Sequence, residues 1–212
     1  MKKFWEKMWQ RMESKELDSI IRLDIECIFI DYFKKYNIKR VCDAGCGFGQ
    51  YSIILALNGF EISGFDISNS AIELTENILG KMGLTHKEYV EEDICNLSFE
   101  ENMFEGMIVR SVLNYLKVAE AKRALDEISR TVEMGGLIYI SFDGINNQNL
   151  SIEHDVLDDG SLKYNEGNRS GMIWRFYTNE EIRILLSDYN IIHFTISKNG
   201  VREVVIVNQK KN

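Results

Sequence analysis

Val41-Cys42-Asp43-Ala44-Gly45-Cys46-Gly47-Phe48-Gly49-Gln50-Tyr51 is the stretch that decides the fold. Lys39–Asp43 reads as a buried strand, and Gln50–Asn58 as a helix. The glycines between them let the backbone turn sharply and let a ligand approach it. Such a turn lies at the carboxyl end of a strand, where open α/β sheets bind ligands. The alternative is a tight strand-to-helix turn with no ligand. The Gly-x-Gly-x-Gly spacing fits no register of the dinucleotide fingerprint, and the Lys-Ser or Lys-Thr pair of a phosphate-binding P-loop is missing. An aspartate ahead of the glycines sits badly against a pyrophosphate and suits a ligand with an ammonium group.

Strand and helix alternate outward from this turn. Phe60–Phe65 reads as a strand, and Ser70–Met82 as a helix opened by a capping box of Ser70 and Glu73. Lys87–Glu91 and Met107–Arg110 read as strands, Ala119–Val132 as a helix and Leu137–Phe142 as a strand. This rhythm predicts a parallel sheet with helices on both faces and right-handed crossovers. Thr178 and Glu181 form a second capping box, opening a helix to about Asp188. Asn190–Ser197 and Val201–Asn208, joined by Lys198-Asn199-Gly200, read as an antiparallel hairpin. Between Asp143 and Thr178 a polar segment of about 35 residues fits no strand–helix unit, and segments of that length often form lids. In it, Asp159-Gly160 reads as a hairpin turn and Gly171–Tyr177 as a strand. Upstream, Phe4, Trp5, Met8, Trp9 and Met12 share one helix face, and a second helix is expected from about Lys15 to Tyr36. The fold class expected is therefore a doubly wound α/β sheet, with residues 1–36 a helical lid, 37–212 the main domain and about 143–177 a lid insertion.

Composition narrows the functional classes. None of the 212 residues is proline, against about 11 expected at a typical share of ~5%. Every motif that needs proline is thereby excluded, including the Pro-Cys-x-x-Cys half of zinc deaminases. The net charge is −8 and the pI about 5.1, which disfavours nucleic-acid partners. The four cysteines, Cys27, Cys42, Cys46 and Cys95, form no Cys-x-x-Cys pair, so no metal is expected. Four cysteines read as reduced and an N-terminus without a signal-peptide pattern lead to the expectation of a cytoplasmic protein. No apolar run of ~18 residues is present to span a membrane. The Trp5/Trp9 face has three readings: a lid, ordinary packing, or a membrane-surface contact aided by Lys2, Lys3, Lys7 and Arg11. The acidic body counts against the last, and no stable membrane association is expected.

Two further acidic motifs follow the glycine loop. Gly64-Phe65-Asp66-Ile67-Ser68 places Asp66 at the end of the second strand, 66 − 43 = 23 residues after Asp43. An acid there accepts hydrogen bonds from ribose hydroxyls. Glu92-Asp93-Ile94 follows the third strand, where Asp93 is either a ligand contact or a helix cap.

VCDAGCGFGQY, GFDIS, EEDICNL, FEGMIVRSVLNYL and EISRTVEMGGLIYIS, in that order, resemble the motifs of the class I S-adenosylmethionine-dependent methyltransferases, of the methyltransferase-11 or -25 domain type. The resemblance covers roughly residues 38 to 208. It implies a Rossmann-like, doubly wound seven-stranded sheet ending in an antiparallel β-hairpin. It implies S-adenosylmethionine as cofactor, with Asp43, Gly45, Gly47, Gly49 and Tyr51 around its methionine part. Asp66 would then bind the ribose, Ile67 would pack on the adenine, and Asp93 and Ile94 would hold the adenine edge. Arg110 and Ser111 would line the cofactor near the fourth strand. Glu133-Met134-Gly135-Gly136 replaces the usual Lys-Pro-Gly-Gly turn, and Arg110 stands where a small residue is more common.

Methylases of this fold acting on nucleic-acid or glutamine nitrogen resemble one another in an Asp/Asn-Pro-Pro-Tyr motif after the fourth strand; cytosine-carbon methylases have Pro-Cys there. Arg110-Ser111-Val112-Leu113-Asn114-Tyr115 has neither, which points to a small-molecule acceptor. Tyr115 and His154 are the catalytic candidates; Trp9, Asn114, Tyr115, Tyr164, Arg169, Trp174 and Arg175 are the substrate candidates. Each has a plainer reading: a rim aromatic for Tyr115, a solvated loop histidine for His154, core packing for Trp174, surface ion pairs for the arginines. The competing functions are a non-catalytic S-adenosylmethionine-binding module, a methyltransferase acting on protein or tRNA, and a nicotinamide oxidoreductase. A monomer or homodimer is expected.

Overall fold

The computed structural model describes residues 1–12, 21–23, 25–144 and 150–209. The elements follow in chain order: α1 (Lys2–Trp9), α2 (Ile28–Lys35), β1 (Arg40–Ala44), α3 (Gln50–Leu57), β2 (Glu61–Asp66), α4 (Asn69–Lys81), β3 (Tyr89–Glu91) and β4 (Phe104–Arg110). A 3₁₀ turn (Leu113–Tyr115), α5 (Val118–Thr131) and β5 (Val132–Phe142) come next. The chain then gives β6 (His154–Val156), β7 (Leu162–Tyr164), β8 (Ile173–Trp174), α6 (Asn179–Leu185), β9 (Asn190–Ile196) and β10 (Arg202–Val207).

Seven strands form one sheet in the order β3-β2-β1-β4-β5-β10-β9. β1 to β5 pair in parallel; β10 runs antiparallel to both β5 and β9. The central strands are buried on both faces, which is why Met107, Ile108 and Val109 form a continuous apolar run rather than an alternating one. Phe29, Phe33, Ile53, Leu55, Ile62 and Tyr139 fill the core on one face, and Phe104, Ile128, Ile138, Phe142 and Ile182 fill it on the other. This is the Rossmann-like α/β architecture expected, terminal hairpin included. β6-β7-β8 make a separate antiparallel sheet with its own core of Leu162, Tyr164, Met172 and Trp174.

Several expectations need correction. The helix expected over Lys15–Tyr36 begins only at Ile28; most of its first part lies outside the described residues, and Ile21–Cys27 are not helical where described. The Gln50 side chain accepts from the Arg22 N–H at 2.8 Å and donates to the Arg22 carbonyl at 2.7 Å, holding this segment out of a helix. α4 is capped by Ser68, which accepts from the Ala71 N–H, and not by Ser70; the Ser70 hydroxyl donates to Glu6 instead. The strand expected over Gly171–Tyr177 shrinks to Ile173–Trp174, and the helix expected to reach Asp188 ends at Leu185. Glu133–Gly136 is a bulge inside β5 rather than a turn before it, since Phe104 pairs with Val132 but Gly106 with Leu137.

Asn208 locks the hairpin to this bulge. Its amide nitrogen lies 2.6–3.2 Å from the carbonyls of Ser129, Val132 and Glu133, and its amide oxygen accepts from the Ser129 hydroxyl at 2.7 Å. Asn208→Ala would strand these carbonyls in a buried corner, so urea denaturation should read a loss of about 2–3 kcal/mol.

Candidate functional site

A cavity of about 480 Å³ opens over the carboxyl ends of β1, β2 and β4 and the segment after β3. Its floor is the glycine loop. Gly45 and Gly47 adopt left-handed backbone angles of φ +71° and +57°. A Cβ on Gly45 would lie 2.6 Å from Val112, and one on Gly47 2.9 Å from Trp9, so glycine alone permits these approaches. Three loop amides are bonded to the end of β2 rather than free toward the cavity. Gly45 and Cys46 donate to the Phe65 carbonyl at 2.8 and 3.0 Å, and Gly47 donates to the Asp66 carboxylate at 3.0 Å.

Carboxylates therefore dominate this side. Asp43 is buried and accepts from the Ser52 hydroxyl at 2.6 Å. Burial pushes its pKa up to about 7, against the Ser52 hydrogen bond. Asp66 accepts from Gly47 and, at 3.0 Å, from the Ser68 N–H; burial pushes it up to about 6. Asp93 lies at the rim, exposed, accepting from the Cys95 N–H at 2.9 Å, with the buried Ile94 beside it. Among the described residues no group of His, Cys, Asp and Glu is set to hold a metal.

α1 forms the roof. Trp9 packs on Gly47 and lies 6.1 Å from the Phe48 ring; Trp5 meets Tyr115 edge-on at 4.7 Å. Three anchors hold the helix. Glu6 accepts from the hydroxyls of Ser68 and Ser70 at 2.6 Å each, Lys2 pairs with Glu91, and Met1 and Phe4 pack on the small sheet. The two serine hydroxyls hold Glu6 down at about 2. That contribution is present above the ordinary carboxylate value and is lost only as pH falls through about 2.

Of the residues expected at a site, Trp9, Asp43, Gly45, Gly47, Tyr51, Asp66, Ile67, Asp93, Ile94, Arg110, Ser111 and Tyr115 line this cavity. Gly49, Asn114, His154, Tyr164, Arg169, Trp174 and Arg175 do not. Gly49 faces Thr75 instead. Asn114 is buried as a bracket: its amide donates to the Arg175 carbonyl at 2.7 Å, and its side-chain oxygen accepts from Asp143 N–H at 3.0 Å. Arg175 is buried and bonded to Glu181 and the Asp159 carbonyl. Trp174 and Tyr164 are core residues of the small sheet, Arg169 sits on the Tyr164 ring, and His154 bonds to the Ile152 carbonyl.

Ser111 carries φ +53°, a strained angle for a non-glycine residue. The Ser141 hydroxyl accepts from its N–H, and its own hydroxyl donates to Asp143 at 2.6 Å. Burial raises the Tyr115 hydroxyl well above the ordinary tyrosine value, so it stays protonated. Met1, Trp5, Arg22, Gln50, Phe48 and Glu92 also line the cavity; Trp5 was expected there only through its lid face and Glu92 only as part of the Asp93 motif, and the other four were not among the expected site residues. Trp5 and Phe48 had a signal, being on the Trp9 face and inside the glycine loop. Arg22 had none, because only its tertiary bond to Gln50 brings it here.

Residues 42–140 match the family model described as a methyltransferase domain. EEF1A lysine methyltransferase 2 of Homo sapiens is 30% identical over 122 residues, covering 53% of this chain and 52% of that protein. A ubiquinone biosynthesis O-methyltransferase of Coxiella burnetii is 28% identical over 103 residues, covering 49% and 43%. The chain thus spans about half the length of the curated relatives it matches. An S-adenosylmethionine-dependent methyltransferase structure from Methanosarcina mazei shares the fold, with a TM-score of 0.73, 23% identity, and 89% and 100% of the two chains covered. No helix among the described residues is long and apolar enough to cross a membrane. The glycine loop with its three acids, the methyltransferase-domain match over residues 42–140 and the shared fold agree, and together they support a class I S-adenosylmethionine-dependent methyltransferase.

Proposed function

We propose that this chain transfers a methyl group from S-adenosylmethionine to a small-molecule acceptor. The observation that carries the proposal is the cavity: acids on its floor side, a roof of Trp5 and Trp9, and an inner wall at the end of β4. The residues present fit the cofactor. The amides of Gly45, Cys46, Gly47 and Gly49 are satisfied within the fold, and carboxylates stand beside them, which suits an ammonium, a sulfonium and ribose hydroxyls rather than a pyrophosphate. Asp43 would face the ammonium, Asp66 the ribose, Ile67 and Ile94 the adenine faces, and Asp93 its edge; Gly45 and Gly47 give the close approach.

When bound, the cofactor supplies a methyl group on a positively charged sulfur, open to in-line displacement by an acceptor's lone pair. The chain's own part is to hold two reactants in line and keep water out, which is where most of the rate in such a step arises. α1 roofs the reaction, and Tyr115 supplies a neutral hydroxyl as a hydrogen-bond donor. A covered cavity favours a small acceptor over a protein side chain.

Calorimetry with S-adenosylmethionine and S-adenosylhomocysteine tests the first half; the absence of binding at millimolar levels would refute it. Methyl transfer from labelled cofactor into a metabolite extract tests the second. Asp66→Ala should weaken cofactor binding by about 1–3 kcal/mol through the hydrogen bonds lost.

Binding should also depend on pH. The folded, ligand-free protein holds Asp43 near 7 and Asp66 near 6, above their ordinary value of 3.8. Their contribution to stability is thus full below about 3.8 and is lost as pH rises through about 6 to 7. An ammonium ligand favours the ionised form, so affinity should rise from pH 5 to pH 8. At pH 6.5 binding should release protons, read as a heat that changes with the buffer's ionisation enthalpy. Asp43→Asn should reduce that release.

A further inference from the structure

The cavity's charges are unevenly placed. Asp43, Asp66, Glu92 and Asp93 stand on the β1–β3 side, while Arg110 stands alone at the end of β4. Its guanidinium lies 4.7 Å from the Tyr51 ring centre, and the residue is half-buried. Among the described residues the Arg110 guanidinium has no ion pair and no hydrogen bond, whereas Arg40, Arg130 and Arg175 all have carboxylate partners. Glu203 acts on the same neighbourhood but accepts from the Tyr139 hydroxyl at 2.6 Å. A guanidinium carries five donors in a rigid fork. Leaving that fork unanswered while half withdrawn from water is unfavourable, and one ring face satisfies none of the N–H groups. Arg22 also lines the cavity, but it is exposed, so water can serve it.

The surroundings of Arg110 suit a flat body bearing an anion. Tyr51 lies under the guanidinium, and Trp5, Val112 and Tyr115 add apolar and aromatic surface to the same cavity. Ser111 fixes the end of β4 through its bonds to Ser141 and Asp143, so the direction in which Arg110 leaves the strand is set by the backbone.

We infer that Arg110 selects the methyl acceptor, and that this acceptor carries a carboxylate on an aromatic or other flat apolar body. The inference rests on the methyltransferase reading above. A guanidinium binds a carboxylate through two parallel, charge-assisted hydrogen bonds. The same charge repels an ammonium, which separates this site from one built for a lysine side chain. The one other source of the same chemistry is the cofactor's own amino-acid carboxylate.

The test uses the full chain saturated with S-adenosylhomocysteine. Calorimetry measures the binding of benzoate, 2-naphthoate and indole-3-acetate, each beside its methyl ester. At least one carboxylate should bind tenfold or more tightly than its ester. R110Q should abolish that difference, while an unchanged urea-denaturation midpoint reports that the variant is folded. R110K, which keeps the charge and loses the fork, should retain part of the preference. Two results overturn the inference: no carboxylate preferred over its ester by the wild type, or R110Q weakening S-adenosylhomocysteine tenfold while sparing 5′-methylthioadenosine. The second would assign Arg110 to the cofactor's carboxylate. If S-adenosylhomocysteine itself does not bind, the methyltransferase reading fails and this inference falls with it; binding without carboxylate preference removes the inference alone.

Discussion

Three backbone amides in the glycine loop determine what the cavity recognises. Gly45, Cys46 and Gly47 donate to the end of β2, two to the Phe65 carbonyl and one to the Asp66 carboxylate. In a phosphate-binding loop such amides face the ligand and attract anions. Here they are consumed by the neighbouring strand, which the parallel register of Ala44 with Phe65 brings alongside. What remains facing the ligand is a set of carboxylates. The same constraint explains why Asp43 and Asp66 sit high in pKa: desolvation outweighs the few donors each one has.

The β2 corner also positions the roof. Asp66 accepts from Ser68, Ser68 caps α4, and the Ser68 hydroxyl donates to Glu6 on α1. Floor, helix cap and roof thus form one hydrogen-bonded chain. Trp9 can settle over the loop only because Gly47 has no side chain. A methyl group at that position would displace the indole and open the cavity from above.

The sheet was legible in the sequence because its signals are local. Glycine spacing, short apolar runs and the Asn199-Gly200 turn each report on a few neighbouring residues, and β1 to β5 and the hairpin follow from them. The acids were legible for the same reason, since each ends a strand. The acceptor side was not. Asn114, Trp174 and Arg175 have residue types that suggest binding, but tertiary contacts turn them inward to join the small sheet to the end of β4. Ser70 was misread because its hydroxyl has a distant competitor in Glu6, 64 residues away. The helix expected through Ile25 was broken by the Gln50 side chain, a contact no periodicity records.

The segment after β4 couples the two halves of the site. Asn114 fastens it to Arg175 and Asp143, and Tyr115, one residue on, carries the edge contact with Trp5. The bonds of Ser111 to Ser141 and Asp143 hold the strand end in a left-handed bend that relaxed backbone avoids. Arg110 therefore leaves a strand end held from both sides, beside a ring that touches the roof. Tyr115, which lines the same cavity as Arg110, cannot move without disturbing Trp5 on the roof. The wall after β4 and the seating of α1 are thus one packing problem, since the ring that closes the cavity on this side is the ring on which the roof rests.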